Sequence, residues 1–296
     1  MVLSEYELAQ TSTTGEELRR KALGALGDLP PFSAILNRVM ASLAGENVSF
    51  HKLGDLVEKD TVIAGNLLHL VNSALYARRE AVNSVRHALS LLGIEKVRNA
   101  ILSMSLSRMW RTMAMPPQFS MARFNMHSAA VAILADLAAQ RLPVAYPEGA
   151  FVAGLLHDVG RLMIARALPE HLARIEALHD SSGRPRIECE TEVLGFTHAD
   201  LSVDALEQWH LPPPIRTAVL HHHAPENDDP PAREMALSRV IDAANQYVNS
   251  TGASIGLAPE ADGADAGRIE SLGLEGISCV ISDYQSEYTA MSGFFA

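Results

Sequence analysis

Residues 154–161 of the chain read GLLHDVGR and place His157 and Asp158 side by side within an otherwise apolar segment. Burying an imidazole and a carboxylate costs free energy unless the groups are paired or bound to a cation. Together these two side chains suit a metal ion such as Fe, Mn, Zn or Mg. The stretch therefore predicts a metal-competent pair inside the protein.

The apolar residues around this stretch recur almost everywhere at helical spacing. Between Phe32 and Leu43 they fall three and four positions apart, which is typical of an amphipathic helix with one buried stripe. Asp60 is placed to cap a further helix, and Gly93 is expected to end a short helix that begins at Ser84. Other helices are expected near residues 94–110, 119–141, 147–167, 169–181, 186–196, 198–209, 213–223, 231–250 and 274–291. With no convincing strand pattern, the sequence predicts an all-α protein.

Proline clusters and a segment of small residues suggest how the chain is organised. Pro116 and Pro117 interrupt the helical pattern, and residues 251–267 are small, turn-forming and acidic, as expected of a loop. The predicted units are an N-terminal helical segment (1–21), a first helical half (22–115), a second helical half (116–250), and a loop with a C-terminal helix (251–296).

Composition excludes several classes of protein. The 296 residues are 48% hydrophobic, enough for a sizeable core. The net charge of -11 and the lack of a Lys/Arg cluster argue against nucleic acid as a partner. We find no signal peptide pattern and no window of about 18 apolar residues, so we expect no membrane association and a cytoplasmic location. The two cysteines, Cys189 and Cys279, exclude a disulfide framework and a Cys-rich zinc site.

Further metal-competent side chains lie where a helical bundle could bring them to the His-Asp pair. They are His127, His198, His221, His222 and Asp242. His223 is expected to be exposed, because three successive helical positions sweep roughly 200° and cannot all face one cavity. Asp200 and Asp204 are alternatives to Asp242 if the helix at 198–209 faces the site.

Each candidate ligand also has a purely structural interpretation. His127 on an apolar helix could be a hydrogen-bonded core histidine, and Asp242 could cap a helix or pair with Arg239. The whole set could then form a polar pocket satisfied by mutual hydrogen bonds and water. The residues leave both interpretations open, a metal site and a hydrogen-bonded polar pocket.

Three motifs in the first half of the chain resemble the HDOD family. They are LPPF at residues 29–32, DTVIAGNLLHLVNSALY at residues 60–76, and ALSLLG at residues 88–93. The resemblance covers roughly residues 22–226. It implies a multi-helix, HD-like bundle preceded by an N-terminal helical subdomain, found in bacterial signalling proteins and generally without an assigned enzymatic activity. Residues 22–115 would then provide scaffold and partner surface.

The second half resembles the HD superfamily in the order of its metal ligands. That superfamily uses a His, a later His-Asp pair and a terminal Asp, and the matching residues here are His127, His157, Asp158 and Asp242. In the HD-GYP branch, whose members are cyclic-di-GMP phosphodiesterases, further histidines lie between the pair and the last Asp. His198, His221 and His222 fall in similar places, so the resemblance implies a divalent metal centre of one or two ions.

The chain also departs from the enzymes. Gly160 is followed by Arg161, where the phosphohydrolases usually carry Lys, and no Asp-Gly-X-Gly-Tyr-Pro signature follows His223. Phosphoryl chemistry needs cations to hold the phosphate, and Arg161 is the obvious candidate for a phosphate contact in this motif. We therefore expect a non-catalytic signalling module that binds a protein partner. The alternative is a metal-dependent phosphohydrolase or phosphodiesterase acting on a nucleotide or cyclic dinucleotide.

Overall fold

The computed structural model describes residues 5–28, 32–43, 50–76, 81–255 and 265–295. These ranges contain helices but no strand; an isolated bridge joins Val144 and Met235. The helices are α1 (Glu5–Gly24), α2 (Ala34–Leu43), α3 (Phe50–Lys59), α4 (Thr61–Val71), α5 (Val85–Trp110), α6 (Met121–Ala139), α7 (Ala150–Leu156), α8 (Val159–Ala167), α9 (Pro169–Ser182), α10 (Arg186–Leu194), α11 (His198–Gln208), α12 (Pro213–Leu220), α13 (Leu237–Ser250) and α14 (Ile277–Ser292). The all-α prediction is confirmed. Residues 29–31 of the LPPF motif and residues 256–264 of the expected loop lie outside the described ranges.

Local sequence signals set the helix ends in the first half. The Asp60 carboxylate accepts hydrogen bonds from the backbone N–H groups of Val62 and Ile63, both at 3.1 Å, so the predicted cap of α4 is confirmed. Gly93 has φ 80° and ψ 164° inside α5, a conformation that glycine adopts without a steric penalty. The helix therefore bends at the residue where the sequence predicted an end.

Helix α6 lies at the centre of the second half and is buried on nearly all sides. It packs against α7, α13 and α14. The close approach of α7 requires Gly154, because a Cβ atom there would lie 2.7 Å from Cα of Ala132 on α6. This contact fixes the helix that leads into the His-Asp pair against the helix that carries His127.

The His-Asp pair lies at a break between two helices, not within the single helix expected at 147–167. Helix α7 ends at Leu156, α8 begins at Val159, and Asp158 has non-helical dihedrals of φ -104° and ψ 13°. Ser202 of α11 bridges the break: its hydroxyl accepts from the N–H of Gly160 and donates to the carbonyl of His157, both at 2.9 Å. The break turns both side chains of the pair toward the interior.

Two other predicted helices are shorter than expected. Helix α12 ends at Leu220, before the three consecutive histidines, and α13 begins at Leu237, well after residue 231. The late start of α13 has a tertiary cause: the backbone N–H of Met235 donates to the carbonyl of Pro143 at 2.7 Å, and its carbonyl accepts from the N–H of Ala145 at 3.1 Å, so Met235 pairs outside the helix. The early end of α12 changes the directions of the three histidines.

Helix α1 packs against the second half of the chain. It contacts α8, α10 and α11, and Arg19 makes two hydrogen bonds to the carboxylate of Asp204, at 2.6 and 2.8 Å. The proposed boundary between residues 21 and 22 falls within this continuous helix. Among the described residues, no helix combines the length and hydropathy needed to span a bilayer.

Candidate metal centre

Six side chains from separate elements converge on one point of the second half. His127 comes from α6, His157 and Asp158 from the break between α7 and α8, His198 from the first turn of α11, and His222 and His223 from the turn after α12. All of them except His223 are buried. The predicted convergence of His127 on the His-Asp pair is therefore present in the fold.

Asp158 lies at the middle of this cluster. Its Oδ1 lies 3.1 Å from Nε2 of His198 and 3.7 Å from Nε2 of His222. Its Oδ2 lies 3.4 Å from Nε2 of His157 and 3.9 Å from Nε2 of His127. Each carboxylate oxygen thus faces its own pair of imidazoles.

The ring nitrogens that face away from the centre are each held by a hydrogen bond. The Nδ1 atoms of His127, His157 and His222 donate to the carbonyls of Ala253, Gly154 and Val219, at 2.9, 2.8 and 2.6 Å. Nδ1 of His198 donates instead to the carboxylate of Glu190, at 2.7 Å. A donor bond at Nδ1 leaves Nε2 as the lone-pair nitrogen in a neutral imidazole. The arrangement therefore orients four Nε2 atoms toward Asp158.

The donor set fits a metal ion. Within the described residues, Nε2 of His157 and Nε2 of His222 are buried and have no hydrogen-bond partner. Such groups are costly unless something binds them, and imidazole nitrogen with carboxylate oxygen is a common ligand set for divalent transition metals. The same atoms would be poorly satisfied by a purely structural pocket.

The ligand atoms form two groups that share one residue. Asp158 with His127 and His157 makes one group, and Asp158 with His198, His222 and His223 makes the other; within each, the ligand atoms lie within 4.8 Å of one another. Since a carboxylate has two oxygens, it can bridge two ions. The geometry is suited to one or two divalent ions.

Electrostatics separate the roles of the buried groups. Burial alone would raise the pKa of Asp158, but His157, Arg161 and His198 outweigh it and hold the pKa of the carboxyl well below its usual range. Burial lowers the pKa of His157 to about 3, which keeps that imidazole neutral. His198 differs: burial opposes its charge, yet Glu190 and Asp158 raise its pKa to about 10. Coordination by His198 therefore requires release of its Nε2 proton.

Glu190 is the residue that sequence reasoning missed. It is buried in α10, and besides holding Nδ1 of His198 it accepts the backbone N–H of His198 at 2.8 Å. Carboxylate-to-histidine bonds of this type orient metal-ligating imidazoles and raise their basicity. A glutamate eight positions before a candidate histidine is not a recognisable sequence pattern, because the intervening turn sets the contact.

The three consecutive histidines are placed differently from expectation. His221 was predicted as a ligand but lies outside both groups, while His223 lies inside one, with its Nε2 3.0 Å from Nε2 of His198. His223 is exposed, as expected, although its ring reaches the centre. The reason is that α12 ends at Leu220, so these residues form a turn and the helical step of about 100° no longer applies.

The structure does not bring Asp242 into either group. Its carboxylate is buried, and it accepts hydrogen bonds from Nε of Arg268 at 3.0 Å and from Gln246 at 2.7 Å. The alternatives are also occupied elsewhere: Asp200 closes a capping box with Thr197, and Asp204 binds Arg19. The salt bridge to Arg268 explains the position of Asp242, because a buried carboxylate needs a cation.

A polar cleft opens beside the centre. It has a volume of about 350 Å³ and reaches His198, His223 and Asp242. Asn245 and Asn249 of α13 line it; both are buried, and within the described residues Oδ1 of Asn249 has no hydrogen-bond partner. A polar ligand in the cleft could therefore reach both these amides and the edge of the metal centre.

Arg161, the expected phosphate contact, faces the carboxylate of Asp158. Its Nη1 lies 3.3 Å from Oδ2 of Asp158, and the side chain also lines the polar cleft. Its charge is therefore already matched to an acidic group of the centre.

Comparison with known proteins identifies the family. The family model of the HDOD domain matches residues 29–225, so this chain belongs to the HDOD domain family. The family resemblance found in the sequence motifs is confirmed. An uncharacterized protein of Treponema pallidum (strain Nichols) is 23% identical over 255 residues, which cover 83% of this chain and 49% of that protein. The chain thus spans about half the length of this curated relative.

Solved structures share the fold. An HDOD domain protein with unknown function from Geobacter sulfurreducens has a TM-score of 0.72 at 23% identity, covering 95% of this chain and 97% of that one. A putative signal transduction protein from Marinobacter aquaeolei VT8 has a TM-score of 0.70 at 22% identity, covering 96% and 66%. A putative phosphohydrolase from Shewanella amazonensis SB2B has a TM-score of 0.67 at 20% identity, covering 93% and 98%. At these identities the likeness extends to the all-helical fold.

Proposed function

We propose that this chain is a signal-transduction module of the HDOD type that carries a metal centre and acts through contacts with a protein partner, without catalysis. The observation that carries the proposal is the buried cluster of imidazoles around Asp158, with the Nε2 atoms of His157 and His222 directed at it. A bound ion would supply positive charge to this interior and tie together helices α6, α8 and α11. Metal binding of this kind stabilises the folded state.

The first helical half supports the role of partner surface. Of the four large apolar side chains that are exposed in the described part of the chain, three lie there: Val62 at 50%, Ile94 at 38% and Leu75 at 36% exposure. Exposed apolar side chains mark a surface that binds other proteins when they form one contiguous patch, so the proposal requires these three side chains to share one surface. We propose residues 22–115 as the surface that meets the partner.

Arg161 supports the non-catalytic interpretation. In a phosphohydrolase a cation beside the metal must hold the phosphate. A guanidinium binds phosphate well when it is available, but Nη1 of Arg161 lies 3.3 Å from Oδ2 of Asp158 and is already paired with a candidate ligand. The positioning that would lower the barrier is therefore weakened.

Metal analysis tests the proposal. Protein purified without chelators is analysed for Fe, Mn, Zn and Mg, and we expect one or two ions per chain, matching the two ligand groups. The same sample is then incubated with nucleotides and with cyclic-di-GMP, and we expect no turnover above background. Steady release of linear dinucleotide or GMP by the wild type, abolished in Asp158→Ala, would replace the signalling module with an enzyme.

The second candidate function is a metal-dependent phosphohydrolase, and the polar cleft is the observation that favours it. The cleft of about 350 Å³ gives a small polar ligand access to His198 and His223 at the edge of the centre. A nucleotide that binds there without being hydrolysed would fit the signalling role instead. Equilibrium binding measured beside turnover distinguishes a ligand from a substrate.

A further inference from the structure

A second cavity shares Arg161, Arg186 and Glu190 with the lining of the polar cleft. It has a volume of about 220 Å³. Its apolar walls come from elements far apart in the chain: Phe119 before α6, Ile164 on α8, Leu172 and Ile175 on α9, and Ile255 after α13. An engineered apolar cavity of about 150 Å³ binds benzene, so this one has room for a larger ring system.

Four of the five charged residues that line the cavity are paired within the protein. Nε and Nη2 of Arg186 donate to the carboxylate of Glu176 at 3.0 to 3.2 Å. Glu190 holds His198, and Arg161 lies against Asp158. The remaining acid, Asp180, is exposed at the rim. A charged ligand would have to lose its hydration without gaining a new counter-charge from these walls, which is unfavourable.

Arg161 and Glu190 also connect this cavity to the candidate metal centre. Both line the cavity, and each contacts a candidate ligand: Arg161 contacts Asp158, and Glu190 contacts His198. A molecule in the cavity that shifts either side chain changes the position or charge balance of a ligand. Such coupling is reciprocal: the metal must change the affinity for the molecule by the same factor.

We propose that this cavity binds an uncharged, largely apolar small molecule about the size of a bicyclic ring, and that its occupancy is coupled to the metal centre through Arg161 and Glu190. The binding site stands on the shape and walls of the cavity alone. The coupling rests on the proposed metal-bearing function. Together they would make the chain a module that reports the presence of an apolar metabolite.

The binding site is tested first on metal-free protein, with 2-naphthol as the probe and calorimetry as the readout. We expect saturable 1:1 binding that weakens by at least about tenfold in Leu172→Trp, whose indole fills the cavity. The matched control is Leu178→Trp, on the same helix but outside the cavity lining. Leu172→Phe is the second filling variant if the tryptophan variant does not fold. Equal affinity in the wild type and a folded filling variant would overturn the site.

The ligand class is tested with two charged analogues of the same ring. We expect 2-naphthoate and 2-naphthylmethylammonium to bind at least about tenfold more weakly than 2-naphthol, because each brings an unmatched charge into an apolar space. Tighter binding of either analogue would overturn the assignment of an uncharged ligand.

The coupling is tested by repeating the 2-naphthol titration at saturating Zn²⁺, and the Zn²⁺ titration at saturating 2-naphthol. We expect both dissociation constants to change by the same factor, at least about threefold. Unchanged constants would overturn the coupling. Protein that binds 2-naphthol in the Leu172 cavity but takes up no metal would overturn the metal centre and leave the binding site standing.

Discussion

Nδ1 of His198 lies 2.7 Å from Oε2 of Glu190, and both side chains are buried. Of the four imidazoles around Asp158 whose Nδ1 atoms are hydrogen-bonded, that of His198 is the one that donates to a carboxylate. The Nδ1 atoms of His127, His157 and His222 donate to backbone carbonyls. A carboxylate strengthens the basicity of the ring more than a carbonyl does. Glu190 therefore distinguishes His198 from the other candidate ligands.

Replacing Glu190 with glutamine should weaken metal binding by roughly 10- to 100-fold, the usual cost of losing a carboxylate that supports a metal-ligating histidine. The amide keeps the volume of the side chain but removes the charge that holds His198. The measurement is competition for the metal with a chelator of known affinity. Glu192→Gln, on the same helix and exposed, is the control and should bind as the wild type. Equal metal affinities of the two variants would show that Glu190 does not support metal binding by His198.

Replacing Asp158 with alanine should remove the residue shared by both ligand groups. In the wild type, free metal at 100 times its dissociation constant should add about 2.7 kcal/mol to the free energy of unfolding for one site. The variant should lose both the bound metal and this gain. The measurement pairs metal analysis with thermal unfolding at several metal concentrations.

The control for Asp158→Ala is Asp229→Ala, which removes an exposed carboxylate. It should keep the full metal content and the full stabilisation. If Asp158→Ala retained its metal and its metal-dependent melting temperature, the cluster would be a polar pocket held by hydrogen bonds.

Replacing His222 and His221 with alanine, one at a time, gives a matched pair. His222 is fully buried with Nε2 facing Asp158, whereas His221 is partly buried and outside both groups. We expect His222→Ala to lower the metal content and His221→Ala to leave it unchanged. Loss of metal in both variants would support the helical arrangement expected from the sequence, in which His221 and His222 are both ligands, over the turn seen after Leu220.

Replacing Gly160 with alanine should disturb the centre without removing a ligand. A Cβ atom at residue 160 would lie 2.0 Å from the carbonyl oxygen of His198, so α8 and the start of α11 must move apart. We expect a loss of about 1 to 3 kcal/mol in the free energy of unfolding, typical of overpacking, together with weaker metal binding. Gly65→Ala on α4 is the control, because a Cβ there meets nothing within 4 Å; it should be neutral or slightly stabilising.

The sequence predicted the helices well where local signals act alone. Asp60 is a cap by its residue type, and Gly93 bends α5 because only glycine takes its backbone angles easily. The helical period also gave the right residues for the core face of α2. These features need no knowledge of distant contacts.

The sequence could not predict the features that depend on tertiary contacts. The break at Asp158 is held by Ser202, a residue of α11, and Asp242 is turned to Arg268, which lies beyond the expected loop. Helix α12 ends at Leu220, before the turn at His221 to His223, and no glycine at this point in the sequence indicates the end. At Asp158 and Asp242 a side chain far along the chain sets the local geometry, and helical periodicity carries no signal for it.

Stability should also depend on pH through Asp136, which lies on α6 with His127 but outside both ligand groups. Burial, helped by Glu287, raises the pKa of Asp136 from 3.8 to about 7. A carboxyl whose pKa is higher in the folded state binds its proton more tightly there, so between about pH 4 and 7 the folded protein holds more protons than the unfolded chain at this site. The free energy of unfolding should therefore fall as pH rises through this window.

Asp136→Asn should remove this dependence, because the amide cannot ionise. At pH 8 we expect the variant to be more stable than the wild type by on the order of 1 to 3 kcal/mol, and at pH 4 the difference should shrink toward zero. The measurement is denaturant unfolding of both proteins at half-unit steps of pH, with the exposed Asp229→Asn as control. In the wild type the side chain of Gln140 donates to Asp136 at 2.9 Å, and the amide oxygen of the variant can still accept this hydrogen bond. A constant difference across the pH range would show that the pKa of Asp136 is the same in the folded and unfolded states, against the shift expected from its partial burial.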